Sequence, residues 1–183
     1  MTLRAMEQAD ADLTLAWRNR EAVRKSMFQT DVLAPETHAA WIARTIEDPA
    51  RAYFIFETDG APQGVVGFTF RDLQTRIAEW SFHIGTATPA PRAGTQMLTE
   101  ALAQFFTDLD GNVLYGEVIE DNTPSRHLHT KLGFQHQGLR DEGLVHEGRE
   151  KAVHLYRMDR ALWTSISPLH GAGPALITPN ERA

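Results

Sequence analysis

Ile77-Ala-Glu-Trp-Ser-Phe-His-Ile84, Gly85-Thr-Ala-Thr-Pro-Ala-Pro-Arg-Ala-Gly94 and Thr95-Gln-Met-Leu-Thr-Glu-Ala-Leu-Ala-Gln-Phe-Phe-Thr-Asp-Leu109 follow one another without a break. They read as a strand, a Pro/Gly-punctuated turn and a helix, an order that sets backbone N–H groups at the mouth of a sheet. In the strand, Trp80, Phe82 and Ile84 fall on one face and Glu79, Ser81 and His83 on the other, as a period of two requires. Met97, Leu98, Ala101, Leu102, Phe105, Phe106 and Leu109 form a helical stripe wide enough to cover a sheet. Thr95, after Gly94, is the expected N-cap, and the first carboxylate of the helix comes only at Glu100. The free N–H groups and the positive end of the helix dipole are thereby left to an outside anion, with Arg92 adding charge.

The chain as a whole reads in the order strand, two or three helices, three strands, helix, strand, helix, two strands. Thr2 to Met6 reads as a first strand, and Asp10 or Asp12 caps a helix carrying Leu13, Ala16 and Trp17 that ends near Asn19. A short helical piece, Glu21 to Ser26, precedes a helix opened by Pro35 with His38, Trp41, Ile42 and Thr45 on one face. Tyr53–Glu57 and Gln63–Arg71 are strands about an Asp59-Gly60 turn. Val113–Ile119 is a further strand, Thr123–Leu132 a short helix closed by Gly133, and Phe134–His146 with Lys151–Met158 a closing hairpin about Glu147-Gly148. The expected class is α+β, one domain over residues 1–163. The Pro/Gly-containing remainder, 164–183, is expected to lie outside it and to be disordered.

The 183 residues, 42% of them hydrophobic, suffice for one full core. A formal net charge of −6 argues against a nucleic-acid grip spread over the surface, although a local basic pocket could still hold a phosphate. With no Cys, disulfides, thiolate metal sites and a Cys nucleophile are excluded. No apolar run reaches membrane-spanning length, and a soluble, cytoplasmic protein is expected. The eight His do not suggest a metal: His127 and His129 point apart on a helix and no His-Glu-x-x-His occurs, so no metal is expected.

The order of elements, the cradle turn after the fourth strand, and the run Asn122-Thr-Pro-Ser125-Arg-His-Leu-His129-Thr-Lys-Leu-Gly133-Phe134 together resemble the GNAT superfamily of acetyl-CoA-dependent N-acetyltransferases, over about Leu3 to Trp163. The resemblance implies a mostly antiparallel seven-stranded sheet flanked by helices and splayed between its fourth and fifth strands. It also implies acetyl-CoA as co-substrate, with backbone groups around Phe82 and Ile84 bonding the pantetheine. The N–H groups of Arg92, Ala93, Gly94, Thr95 and Gln96 would hold the pyrophosphate, and Asn122 and Ser125 would face the same ligand. Two positions depart from the family pattern: the cradle keeps one glycine, and His129 stands where a Tyr acid is common.

Leu15-Ala-Trp17-Arg18-Asn19, Val23-Arg24, Met27-Phe28 and Thr37-His38-Ala-Ala-Trp41-Ile42, followed by Ala78-Glu79-Trp80, further resemble the N-acetyltransferases of pseudaminic acid biosynthesis, which acetylate the 4-amino group of a UDP-linked dideoxy aminosugar. Such an acceptor needs cations for a diphosphate, for which Arg18, His38 and Arg71 are candidates, and apolar surface for uracil, for which Met27, Phe28 and Trp41 are. Direct attack of the amine is expected, with Glu79 as base through a water, His83 as the alternate base, and His129 as acid toward the thiolate. A protein N-terminal acetyltransferase of the ribosomal type and a CoA-binding module without catalysis stay open, as does a homodimer.

Overall fold

The computed structural model describes residues 2–140, 144–146 and 148–167. Strands β1 (Thr2–Ala5), β2 (Arg51–Thr58), β3 (Ala61–Asp72), β4 (Ile77–Ile84), β5 (Val113–Ile119), β6 (Gln135–Arg140), β7 (Val145–His146), β8 (Arg149–Glu150) and β9 (Val153–Asp159) alternate with helices α1 (Ala11–Arg18), α2 (Glu21–Arg24), α3 (Pro35–Glu47), α4 (Ala93–Ala103), α5 (Thr123–Lys131) and α6 (Arg160–Ile166). Seven strands form one sheet in the order β1-β2-β3-β4-β5-β9-β6. Every pairing in it is antiparallel except β4 with β5. This is the mixed α+β fold expected. Among the described residues no helix is long and apolar enough to cross a membrane.

Strand alternation builds a core on each face of the sheet. In β2, Phe56 joins the larger cluster with Phe68, Leu98, Phe105 and Phe106 beneath α4. Its neighbour Ile55 turns to the other side and packs with Met6, Trp17, Ile42 and Val65 beneath α1 and α3. The sheet is thereby fixed from both sides where the site will lie.

The parallel pairing is short. Ile77, Ala78 and Glu79 oppose Val113, Leu114 and Tyr115, and no register pair follows. Where pairing stops, the Trp80 indole and the His129 ring fill the gap. They fit because β5 offers Gly116 there: a Cβ would come within 2.4 Å of His129 Nε2 and 2.9 Å of Trp80 Nε1. The splay is therefore a wedge of side chains let in by a glycine.

Three boundaries differ from the sequence expectations. Helix α4 starts at Ala93, not after Thr95, because Arg92 takes a left-handed conformation (φ 63°) as its N-cap. The helix also widens into a π turn over Gln104–Asp108, a geometry in which the consecutive Phe105 and Phe106 are both fully buried. The closing strands do pair, β6 with β9, but β9 lies between β5 and β6, and β7–β8 forms a small hairpin of its own between them in sequence. Residue 147 of the expected turn lies outside the described residues, as does the expected tail beyond residue 167; α6 carries regular structure as far as Ile166.

Candidate active site

Two cavities open on either side of the outer half of β4. The first, about 260 Å3, runs along the splay. Phe82 and Ile84 line it from β4, Val118 and Ile119 from β5, Gly94 and Met97 from α4, Asn122, Ser125 and Leu128 from α5, and Met27 and Phe28 from the loop after α2. Its mouth is the start of α4. Ala93 N–H donates to the Ala90 carbonyl and Gln96 N–H to that of Arg92, so the N–H groups of Gly94 and Thr95 are the ones left without an acceptor. No acidic residue stands in the first turn. A side chain at Gly94 would project between Leu128 and Ile84, 3.8 and 4.0 Å away, into the cleft. Gln96, expected in this cradle, does not line the cavity, and its side-chain Oε1 is buried without a partner. Lys131, which sequence reasoning did not single out, donates to Thr95 Oγ1 at 3.4 Å and brings a second cation beside Arg92. These features fit a long ligand with an anionic end: apolar walls and an unpaired strand edge lead to free N–H groups at a helix N-terminus. Asn122 spends Oδ1 on the Ser125 N–H as the cap of α5 (3.2 Å), which leaves its Nδ2 to a ligand.

The second cavity, about 330 Å3, lies beneath α1 and α3. Thr37, His38, Trp41 and Arg44 line it from one face of α3, Thr14 and Arg18 from α1, Tyr53 from β2, and Ser81 and His83 from β4. Among the described residues no carboxylate lines it. Arg18 donates through Nη2 to the Gln29 carbonyl, while its Nη1 is buried without a partner. Burial, and then the neighbouring charge of Arg24, lowers the pKa of Arg18. Thr14 donates its hydroxyl proton to the Asp10 carbonyl at 2.8 Å, so its oxygen accepts from His38 Nε2–H at 2.8 Å and fixes that tautomer. His38 stacks on Trp41 at 5.5 Å, and Trp41 meets Tyr53 edge-on at 5.3 Å. The loop that walls off this cavity is tied down by side chains. Asn19 exchanges two bonds with the Leu33 backbone, Arg24 donates to the Thr30 carbonyl, and His146 of β7 bonds the Met27 carbonyl.

Met27, Ser81, Phe82 and His83 line both cavities, so the two meet across this short piece of strand. Burial first, and then Arg18 and His38, push His83 down to about 4. Its ring is neutral at pH 7, and its buried Nε2 has no partner.

His129 is differently placed. Its ring is buried among Trp80, Phe82, Phe134 and Tyr156. Trp80 Nε1–H donates to its Nε2 at 3.1 Å, and its Nδ1 donates to the Ser125 carbonyl at 2.8 Å. Burial lowers its pKa to about 4. Both nitrogens are occupied and the ring is neutral, so as placed it has no proton free for a thiolate. Glu79, the expected base, lines neither cavity: it pairs with Arg71, which in turn lies 5.0 Å over the Tyr115 ring. Arg71 is thereby drawn away from the acceptor side as well. Of the expected acceptor residues, Arg18, Met27, His38 and Trp41 are brought together, and Phe28 lines only the first cavity. Arg44 and Tyr53 went unnoticed in the sequence. Arg44 continues the i, i+3 spacing of His38 and Trp41, and Tyr53 shares the strand face of buried Ile55 two residues on, and those were the signals available. No group of three or more metal-ligating side chains is gathered among the described residues.

Comparison with known proteins agrees with this architecture. The family model of the acetyltransferase (GNAT) domain matches residues 1–135. An uncharacterized N-acetyltransferase p20 of Bacillus licheniformis is 28% identical over 164 residues, covering 86% of this chain and 92% of its own. Among solved structures, spermidine N-acetyltransferase from Vibrio cholerae in complex with CoA and spermine superposes with a TM-score of 0.82 at 21% identity, covering 89% of this chain and 97% of its own. A ribosomal-protein alpha-N-acetyltransferase in complex with coenzyme A gives 0.76 at 15% identity, with 86% and 92% covered.

Proposed function

Since the chain belongs to the GNAT acetyltransferase family, and is thus an acetyl-CoA-dependent N-acetyltransferase, we propose that its acceptor is a nucleotide-linked amino sugar, acetylated on the 4-amino group in the cytoplasm. The observation that carries this reading is the meeting of the two cavities at Ser81, Phe82 and His83. A donor in the splay and an amine beneath α3 would approach each other there, which favours direct attack in a ternary complex.

Acetyl-CoA, when bound, supplies an acetyl group activated as a thioester. The chain's own part begins with the Gly94 and Thr95 N–H groups, Arg92, Asn122 and Ser125, which hold and orient it. A backbone N–H near Phe82 stabilises negative charge developing on the transferred carbonyl. As the acceptor nitrogen bonds the acetyl carbon and the C–S bond breaks, the bonding pair leaves with the sulfur, and the nitrogen's proton passes by way of His83 Nε2, directly or through one water, to the departing thiolate. His83 replaces Glu79 in this role because it alone of the two faces the junction. His129 holds the wall of the splay in place through Trp80 and α5.

The nucleotide-sugar acceptor is favoured over a polyamine by the buried, unpaired Nη1 of Arg18 and because no carboxylate among the described residues lines the cavity to receive a polycation. Trp41 and Tyr53 offer flat surface for a base. A free-thiol release assay with acetyl-CoA and a UDP-4-amino-4,6-dideoxy sugar, run beside spermidine and a peptide with N-terminal Ala or Ser, tests the reading. Release with the sugar alone supports it, and release with only the peptide or only spermidine overturns it.

A further inference from the structure

The cations of the acceptor cavity stand at two depths. Arg18 is inside, held by its bond to the Gln29 carbonyl. Arg44 is at the exposed rim, one turn of α3 beyond Trp41. The Arg44 guanidinium has no hydrogen-bond or ion-pair partner among the described residues. Its neighbour on the next element, Arg51, is by contrast neutralised by Asp48 at 3.2 Å. A chain of net charge −6 thus leaves, among the described residues, two guanidinium groups without a carboxylate beside them in one cavity. Uncompensated like charges in a partly desolvated space repel a cation and attract an anion, and a guanidinium fork suits phosphate in particular.

We infer that Arg44 is a specificity-determining residue, the outer of two charge filters that admit an amine carrying a phosphate group and turn away polycationic amines. This rests on the N-acetyltransferase reading of the same cavity. The amine must reach Ser81 and His83, so the anionic portion trails outward past Arg18 and Trp41 to Arg44. Spermidine, with a cation at each end, would have to place one of them between the two arginines.

Arg44→Glu and Arg44→Lys are the variants to compare, with Arg51→Ala as a control for general surface charge. UDP binding, followed by intrinsic tryptophan fluorescence because Trp41 lines the same wall, is expected to weaken tenfold or more in Arg44→Glu and by no more than about threefold in Arg44→Lys. In the thiol-release assay the same Arg44→Glu change is expected to raise KM for the phosphate-bearing amine with kcat little altered, and to raise kcat/KM for spermidine above the wild-type value. Equal UDP affinity in wild type and Arg44→Glu would overturn the inference, as would unchanged discrimination between the two amines. Absence of thiol release from wild type with every amine would instead count against the proposed function, and the UDP titration would still decide the role of Arg44.

Discussion

Two histidines on opposite faces of β4, His129 fully buried and His83 half-buried, share a pKa near 4 and differ in everything else. His129, in the wedge beneath α5, has Trp80 on one nitrogen and the Ser125 carbonyl on the other. His83, at the meeting of the cavities, leaves Nε2 buried and bonded to nothing. A buried polar atom without a partner is costly, whereas a satisfied one can stabilise the fold. The contrast teaches that low basicity by itself marks burial, and that the unsatisfied nitrogen, not the shifted pKa, points to the chemistry.

The sharpest way to break this comparison is to remove each ring in turn. His83→Ala is expected to lower kcat by roughly 10²- to 10⁴-fold, the usual range for a lost general base, with thermal stability nearly unchanged because no hydrogen bond of His83 Nε2 is given up. Steady-state kinetics beside a melting curve would measure both. His129→Ala should do the reverse. It opens a cavity among four aromatic rings and strands the Trp80 N–H, for a loss of about 3 kcal/mol or more. The folded fraction should retain kcat within a few-fold, and His129→Gln, which keeps an acceptor for Trp80, should recover part of the stability. A stable His129→Ala protein with kcat reduced a hundredfold would restore this residue to the role of acid.

Acid titration sharpens the same comparison. For both histidines the folded pKa, about 4, lies below the ordinary 6.5. Between those values the unfolded chain binds more protons, so their contribution is complete above about pH 6.5 and is lost as the pH falls toward 4. At pH 5 the loss is about 2 kcal/mol per histidine. Chemical denaturation at pH 7 and pH 5 should differ by less in His129→Gln than in the wild type. In activity, no limb of kcat is expected at the ordinary histidine pKa near 6.5; one found there, and abolished in His83→Ala, would contradict the burial of that ring.

How far the sequence revealed these roles depended on how local they were. The donor side was legible because it is built from contiguous pieces: the strand ending at Ile84, the turn through Arg92, and the run from Asn122 to Phe134. Its details were not. Arg92 caps α4 through a left-handed backbone that no local rule required. His129 could be seen to precede Lys131 and Gly133, but nothing in that run revealed that Trp80, 49 residues earlier, takes its Nε2. The acceptor side is assembled from α1, a loop, α3 and β2, so Arg44 and Tyr53 came together only in three dimensions. The same limit applied to Arg71 and Glu79, each read as free for chemistry until β3 and β4 were paired.

Glu79 gives the smallest expected effect and the cleanest separation of face from function. It shares the polar face of β4 with His83, four residues away, and the sequence could not rank the two. Register decides between them. Glu79 opposes Thr69 of β3, two residues before Arg71, and is the last residue of β4 to pair with β5. Its carboxylate therefore meets the Arg71 guanidinium, in a pair about half exposed on both sides (47% and 45%). An exposed pair of this kind contributes about 0–1 kcal/mol. Glu79→Gln should accordingly cost less than about 1 kcal/mol in denaturant unfolding and leave kcat within about threefold of wild type, since a general base would be worth at least 10²-fold. A hundredfold fall in kcat with stability intact would mean that the pair opens during turnover and that Glu79 takes the proton, leaving the orphaned nitrogen of His83 to bind the acceptor.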